Sequence, residues 1–145
     1  MEMRDVFVSY APRNRDVFET LHTLLRESGV SVYDPEETLS DWDSFASESP
    51  LRIRNAKVFV LLITEAVFIS SFAKKEVEYA RFRMPDPTKN MIPVHFPEAG
   101  KELPADLAML LSGIPLIYAP GTSPEDLAYA VSRIVERVRA AESES

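Results

Sequence analysis

The chain has 145 residues, 46% of them hydrophobic, a mean hydropathy of −0.11 and a net charge of −7. That length closes one core in one domain. The absence of cysteine excludes a disulfide framework and thiolate chemistry, and two histidines (His22 and His95) without cysteines or a carboxylate cluster do not make a zinc site, so no metal is expected. The acidic balance argues against a nucleic-acid or acidic-membrane partner but leaves room for a small anionic ligand in a local pocket.

In chain order, Val6 to Tyr10 reads as a short buried strand and Arg13 to Ser28 as a helix, with Phe18, Leu21, Leu24 and Leu25 at helical spacing and Gly29 as its stop. Val30 to Tyr33 is a second strand. Asp34 to Ser44 is a polar loop holding Asp34, Glu36, Glu37, Asp41 and Asp43. A helix over Phe45 to Ala56 is interrupted by Pro50. Lys57 to Thr64 is apolar and β-branched, a central strand covered on both faces. Its apolar run, Val58 to Ile63, is too short to cross a bilayer, and the N-terminus carries no cleavage-site pattern, so a cytoplasmic location is expected. Ser70 or Ser71 caps a helix to Arg83. Asp86 to Lys89 is a loop, Met91 to His95 a strand, Pro104 to Leu111 a helix and Ile114 to Ala119 a last strand. Pro124 to Ala141 is an amphipathic helix with Leu127, Val131, Ile134 and Val138 on one face. The expected domain is 1–141, followed by a polar tail, 142–145.

Five short strands alternating with helices imply an α/β fold. The expectation is a doubly wound, flavodoxin-like three-layer sandwich whose five-stranded parallel sheet runs in the order 2-1-3-4-5. Ligands of such sheets bind beyond the carboxyl ends of the strands, at the switch point between the first and third. That directs attention to the segments after Tyr10, Tyr33 and Thr64.

The helix after the third strand carries the informative residue. At about 100° per position, Phe72, Ala73, Val77, Tyr79 and Ala80 share one apolar arc of roughly 160°, whereas Lys74, Lys75 and Glu78 lie opposite. Glu76 falls inside the apolar arc. A carboxylate there needs a partner or a wet pocket. One reading is structural, an ion pair with Arg83 or Arg52; the other is a functional acid at the ligand edge of the sheet.

Four segments, in order, resemble TIR (Toll/interleukin-1 receptor) domains of the bacterial, NAD-consuming type. DVFVSY (5–10) resembles the first-strand motif, VSVYDPEETLSDWDSF (30–45) the second strand and BB loop, AKVFVLLITEAVFISSFAKKEVEYA (56–80) the third strand and the Ser-x-aromatic-x-x-x-Glu helix, and MIPVHF (91–96) the fourth strand. The resemblance implies that Glu76 is the catalytic residue of NAD⁺ cleavage and that Phe72 lines the nicotinamide side. It implies substrate contacts from Ser9, Tyr10 and Ala11 and from Asp34 and Trp42. Asp41-Trp42 stands where many members have Pro-Gly, Phe72 where tryptophan is common, and Ala73 where cysteine is common. Ala11-Pro12 precedes Arg13 where arginines often follow directly.

The function so implied is an NAD⁺ hydrolase or cyclase, with NAD⁺ as substrate and no cofactor, serving bacterial immune defence or signalling. Activation would come through homotypic TIR–TIR assembly, alone or with a sensor domain or partner chain. The alternative is a non-catalytic TIR scaffold, and a more distant one is another N-glycosidic-bond enzyme such as a nucleoside deoxyribosyltransferase. A phosphate-receiver reading fails, because Ser9-Tyr10, Thr64-Glu65 and Tyr118-Ala119 do not supply its acids and lysine. The four glycines are unclustered, so no glycine-rich phosphate loop exists. His95 reads as a packed or exposed histidine, and Ser9 has no His–Asp partnership that would make it a nucleophile.

Overall fold

Side chains that alternate along the strands divide the molecule into two faces. The computed structural model describes residues 4–33 and 49–143; Asp34, Trp42 and the rest of the acidic loop lie outside the described residues. Among the described residues, β1 (Arg4–Ser9), β2 (Ala56–Ile63), β3 (Met91–His95) and β4 (Ile117–Tyr118) form a parallel sheet in the order β1-β2-β3-β4. Val6 is in register with Val58, Val60 with Ile92, and Val94 with Ile117. The described helices are α1 (Arg15–Glu27), α2 (49–54), α3 (Ser71–Arg83), α4 (Pro87–Asn90), α5 (Ala105–Leu110) and α6 (Pro124–Ser143).

One face of the sheet, with Val6, Val8, Val58, Val60 and Leu62, packs against Phe18 and Leu21 of α1 and Leu127 and Ile134 of α6. The other, with Phe7, Phe59, Leu61 and Ile63, packs against Ile53 of α2, Ala73, Val77 and Ala80 of α3, and Leu107 of α5. Helices cover both faces of a parallel sheet, so this is the expected three-layer α/β sandwich. Phe7 stacks on Phe59 with ring centroids 5.8 Å apart, which ties β1 to β2 beneath α3.

Several boundaries differ from expectation for local reasons. The segment expected as the second strand contributes a single parallel bridge, Val32 to Val6, on the outer edge of β1. Its position agrees with the expected order, but among the described residues only four strands have a ladder. Side chains replace part of that ladder: the Asp5 amide donates to Ser31 Oγ (2.9 Å), and the Ser31 amide donates to Asp5 Oδ2 (3.0 Å). The last strand shortens to Ile117–Tyr118, since Pro115 has no amide to donate to a ladder. Asp86 to Lys89, expected as a loop, leads into the one-turn helix α4, which has proline in its first turn. A 3-10 turn, Pro12–Asn14, precedes α1. Gly29 ends α1 at φ 85°, with its amide bonded to the Arg26 carbonyl (3.0 Å). Helix α6 continues through Ser143, and Glu142, expected in the tail, pairs with Lys57 at 2.9 Å.

Candidate active site at the carboxyl edge of the sheet

The pleat of β1 decides which residues meet. Phe7 and Ser9 point to the α3 face, whereas Val6, Val8 and Tyr10 point to the α1 face. Ser9, the last residue of β1, therefore faces α3 at the carboxyl edge of the sheet.

Helix α3 presents Glu76 to it. The helix begins at Ser70, whose side chain accepts from the Ala73 amide at 3.1 Å. Ala73, Val77 and Ala80 are fully buried against the sheet. Their spacing carries Glu76 inward with them, and it is 5% exposed, the one buried acid among the described residues. Its Oε1 accepts from Ser9 Oγ at 2.7 Å and its Oε2 from Ser49 Oγ at 2.8 Å. No ion pair joins it to a described residue. The two arginines considered as partners lie elsewhere: the Arg52 guanidinium sits 5.6 Å from the Tyr33 ring centroid, and that of Arg83 sits 5.8 Å from Tyr79. Burial pushes the Glu76 carboxyl up to about 7, and the Ser9 and Ser49 hydroxyls oppose that rise.

A cavity of about 480 Å³ opens beside Glu76, between α2 and α3, within the range of small-ligand sites. Ser49, Pro50 and Ile53 form one wall and Ser71, Phe72, Lys75 and Tyr79 the other. A groove of the same volume between α1 and α6 is lined by Leu24, Val131 and Val135, and its charged residues Glu27, Glu136 and Arg139 are all exposed. The buried carboxyl, not the volume, distinguishes the α2–α3 cavity.

Of the residues expected in the site, Glu76, Ser9 and Phe72 come together here. Ala11 is buried in the same apolar core. Tyr10 lies on the opposite face, stacked on Phe18 at 4.5 Å, and its hydroxyl accepts from Arg15 Nη1 at 2.8 Å. Asp34 and Trp42 lie outside the described residues. Ser49, Lys75 and Tyr79 were not among the expected site residues. Ser49 carries no local signal, because only the packing of α2 against α3 brings it to Glu76.

A model of the TIR domain matches residues 6–134. The chain belongs to the TIR domain family. Solved structures agree on the fold. The TIR domain of the Toll-related receptor TRR-2 from the lower metazoan Hydra magnipapillata matches with a TM-score of 0.70 and 19% identity, over 94% of this chain and 99% of that one. The CMP N-glycosidase BcmB of Clostridium botulinum matches with a TM-score of 0.63 and 15% identity, over 90% of this chain and 99% of that one. The TIR domains of the activated Roq1 resistosome, which directly recognises the pathogen effector XopQ, match with a TM-score of 0.55 and 17% identity, over 95% and 80%. No curated protein matches the chain. Glu76 thus sits in a TIR domain at the carboxyl edge of the sheet, beside a cavity. Among the described residues, no helix is long and apolar enough to cross a membrane.

Proposed function

We propose that this TIR domain cleaves the nicotinamide–ribose bond of NAD⁺, with Glu76 as the catalytic residue. The observation that carries the reading is a buried carboxyl with hydroxyl partners and no cationic partner among the described residues, lining a cavity of about 480 Å³. A structural acid at this depth would be neutralised by a guanidinium or ammonium. Glu76 keeps its negative charge available when ionised.

The chemistry follows from that charge. As the C–N bond breaks, its electron pair returns to the pyridinium ring and nicotinamide leaves neutral, so the leaving group needs no acid. The ribose becomes an oxocarbenium-like cation. An ionised Glu76 stabilises it from a buried position, where a charge acts more strongly than in bulk. Water then adds to the anomeric carbon, giving ADP-ribose and releasing one proton. A carboxyl that titrates near 7 suits the acceptance of that proton. An internal nucleophile in place of water gives a cyclic product. Phe72 and Tyr79 supply aromatic surface for the nicotinamide side.

Activity depends, in this reading, on self-assembly of TIR domains in a cytoplasmic defence or signalling response, so the isolated domain turns over slowly. The Roq1 TIR domains, solved within an activated resistosome, support the assembly part. The test is nicotinamide release from NAD⁺ by concentrated protein, with and without a crowding agent, beside Glu76→Gln. Release by the wild type and none by the variant is the expected result. Equal release by both removes Glu76 from its role, and release by neither favours the non-catalytic scaffold.

A further inference from the structure

Both oxygens of Glu76 accept a hydroxyl hydrogen, and neither donor belongs to its own helix. Ser9 is 1% exposed at the end of β1, and Ser49 is 3% exposed on α2. Three elements thus converge on one carboxyl group.

We propose that Ser9 and Ser49 are positioning residues: their hydroxyls clamp the two oxygens of Glu76 and aim the carboxylate into the α2–α3 cavity, and Ser9 acts through Glu76 and not by touching substrate. The inference rests on the reading of Glu76 as the group that meets the substrate. A serine hydroxyl has one hydrogen to donate. At 2.7 and 2.8 Å from Glu76, both hydrogens are committed to the carboxylate. A glutamate side chain turns about three bonds, and two donors on different oxygens, fixed to different elements, hold its plane. One donor is anchored by the sheet and the other by the cavity wall, so the carboxylate keeps its aim when a ligand enters.

The choice of hydroxyls matters chemically. The charged side chains on the surrounding elements are Arg52 and Arg54 of α2, Lys74, Lys75, Glu78, Arg81 and Arg83 of α3, Asp106 of α5, Arg4 and Asp5 of β1 and Lys57 of β2. None forms an ion pair with Glu76; Lys74 pairs with Asp106 at 3.0 Å, and Arg52 lies over Tyr33. An ammonium or guanidinium in the place of either serine would hold the carboxylate equally well but cancel its charge. Neutral donors orient it and favour its ionised form while leaving it able to face a developing cation.

The test titrates the Glu76 carboxyl by ¹³C NMR in the whole chain, with the signal identified by its absence from Glu76→Gln. Wild type, Ser9→Ala, Ser49→Ala and Ser49→Thr are compared, with NAD⁺ turnover measured on the same samples. Ser9→Cys replaces Ser9→Ala if the cavity at the end of β1 prevents folding. The two alanine variants are expected to titrate at higher pH, with kcat lowered roughly tenfold and KM nearly unchanged; Ser49→Thr, which keeps the hydroxyl, restores both. An unmoved titration in the alanine variants overturns the clamp, as does a Ser9 variant that raises KM and keeps kcat. The titration needs no turnover. A moved titration in a protein that cleaves no NAD⁺ therefore keeps the clamp and rejects the enzyme reading, whereas turnover with an unmoved titration does the reverse.

Discussion

Replacing Glu76 by glutamine is expected to stabilise the folded protein above neutral pH. Burial raises the Glu76 carboxyl from 4.5 to about 7, while the unfolded chain titrates near the ordinary value. Between those two pH values the folded state keeps a proton that the unfolded state has released. Stability therefore falls as pH rises through this window, by about 1.4 kcal/mol per pH unit. The contribution is fully present below the unfolded value of 4.5 and is lost as pH passes through about 7. Across the whole window it amounts to about 3 kcal/mol. Glutamine does not titrate, and its amide fits the same place: the carbonyl accepts from one serine and the NH₂ donates to the other hydroxyl oxygen.

The assay is urea denaturation of wild type and Glu76→Gln at pH 5, 6, 7 and 8, with equal m-values as the check on two-state comparison. The stability difference should move in favour of the variant by about 2.5 kcal/mol between the ends of that range, because the unfolded carboxyl is already mostly ionised at pH 5. For a domain of this size that is roughly 5–10 °C in Tm. Asp5, which titrates below its usual range through its bonds to Ser31 and Lys57 against a desolvation that opposes them, changes stability with pH in both proteins and cancels in the difference. A difference that does not vary with pH, or a less stable variant at pH 8, refutes the desolvation argument.

The same ionisation appears in turnover: kcat/KM for NAD⁺ should rise with pH through a single step near 7, where burial sets the Glu76 carboxyl of the free protein, and a rate flat from pH 5 to 8 contradicts it. Lys75 lines the cavity and has no ion-pair partner among the described residues, so Lys75→Glu should raise KM for NAD⁺ roughly fivefold and leave KM for nicotinamide riboside, which lacks a phosphate, unchanged. Ser70→Ala removes the cap of α3 and should cost about 1 kcal/mol in urea denaturation; no loss would mean that the hydroxyl bond to Ala73 is replaced by water.

The sheet was legible because its strands are short continuous runs rich in β-branched and aromatic residues bounded by polar turns, a pattern that suits a covered parallel strand. Met91–His95 is a strand to the residue, and α3 starts and stops where Ser70 and Arg83 were expected to set its limits. Two of the misreadings lie at the sheet edges. There a bridge of one residue at Val32 and a strand of two at Ile117–Tyr118 replace longer runs, because edge pairing depends on which amides have partners and not on hydrophobicity. Glu76 was legible from helical phase alone, since a carboxylate within an apolar arc conflicts with its surroundings. Ser49 was not, because it lies 27 positions from Glu76 and nothing in its neighbours encodes the meeting. Tyr10 shows the limit of motif reasoning: it adjoins Ser9 in sequence, and the pleat turns it to the opposite face.

The sign of the Glu76 effect bears on the choice between enzyme and scaffold. A scaffold needs only the outer surface of this domain, and a buried carboxyl that lowers its stability near neutral pH contributes nothing to that surface. Glutamine would preserve both serine bonds without the loss. Under the proposed function, an acid at such a position, against desolvation and without a neutralising cation among the described residues, is accounted for by what its charge would do at the cavity. The two readings therefore diverge when stability and nicotinamide release are measured on the same pair of proteins. If Glu76→Gln is the more stable protein at pH 8 and is also unable to release nicotinamide, the same carboxylate carries both the instability and the catalysis.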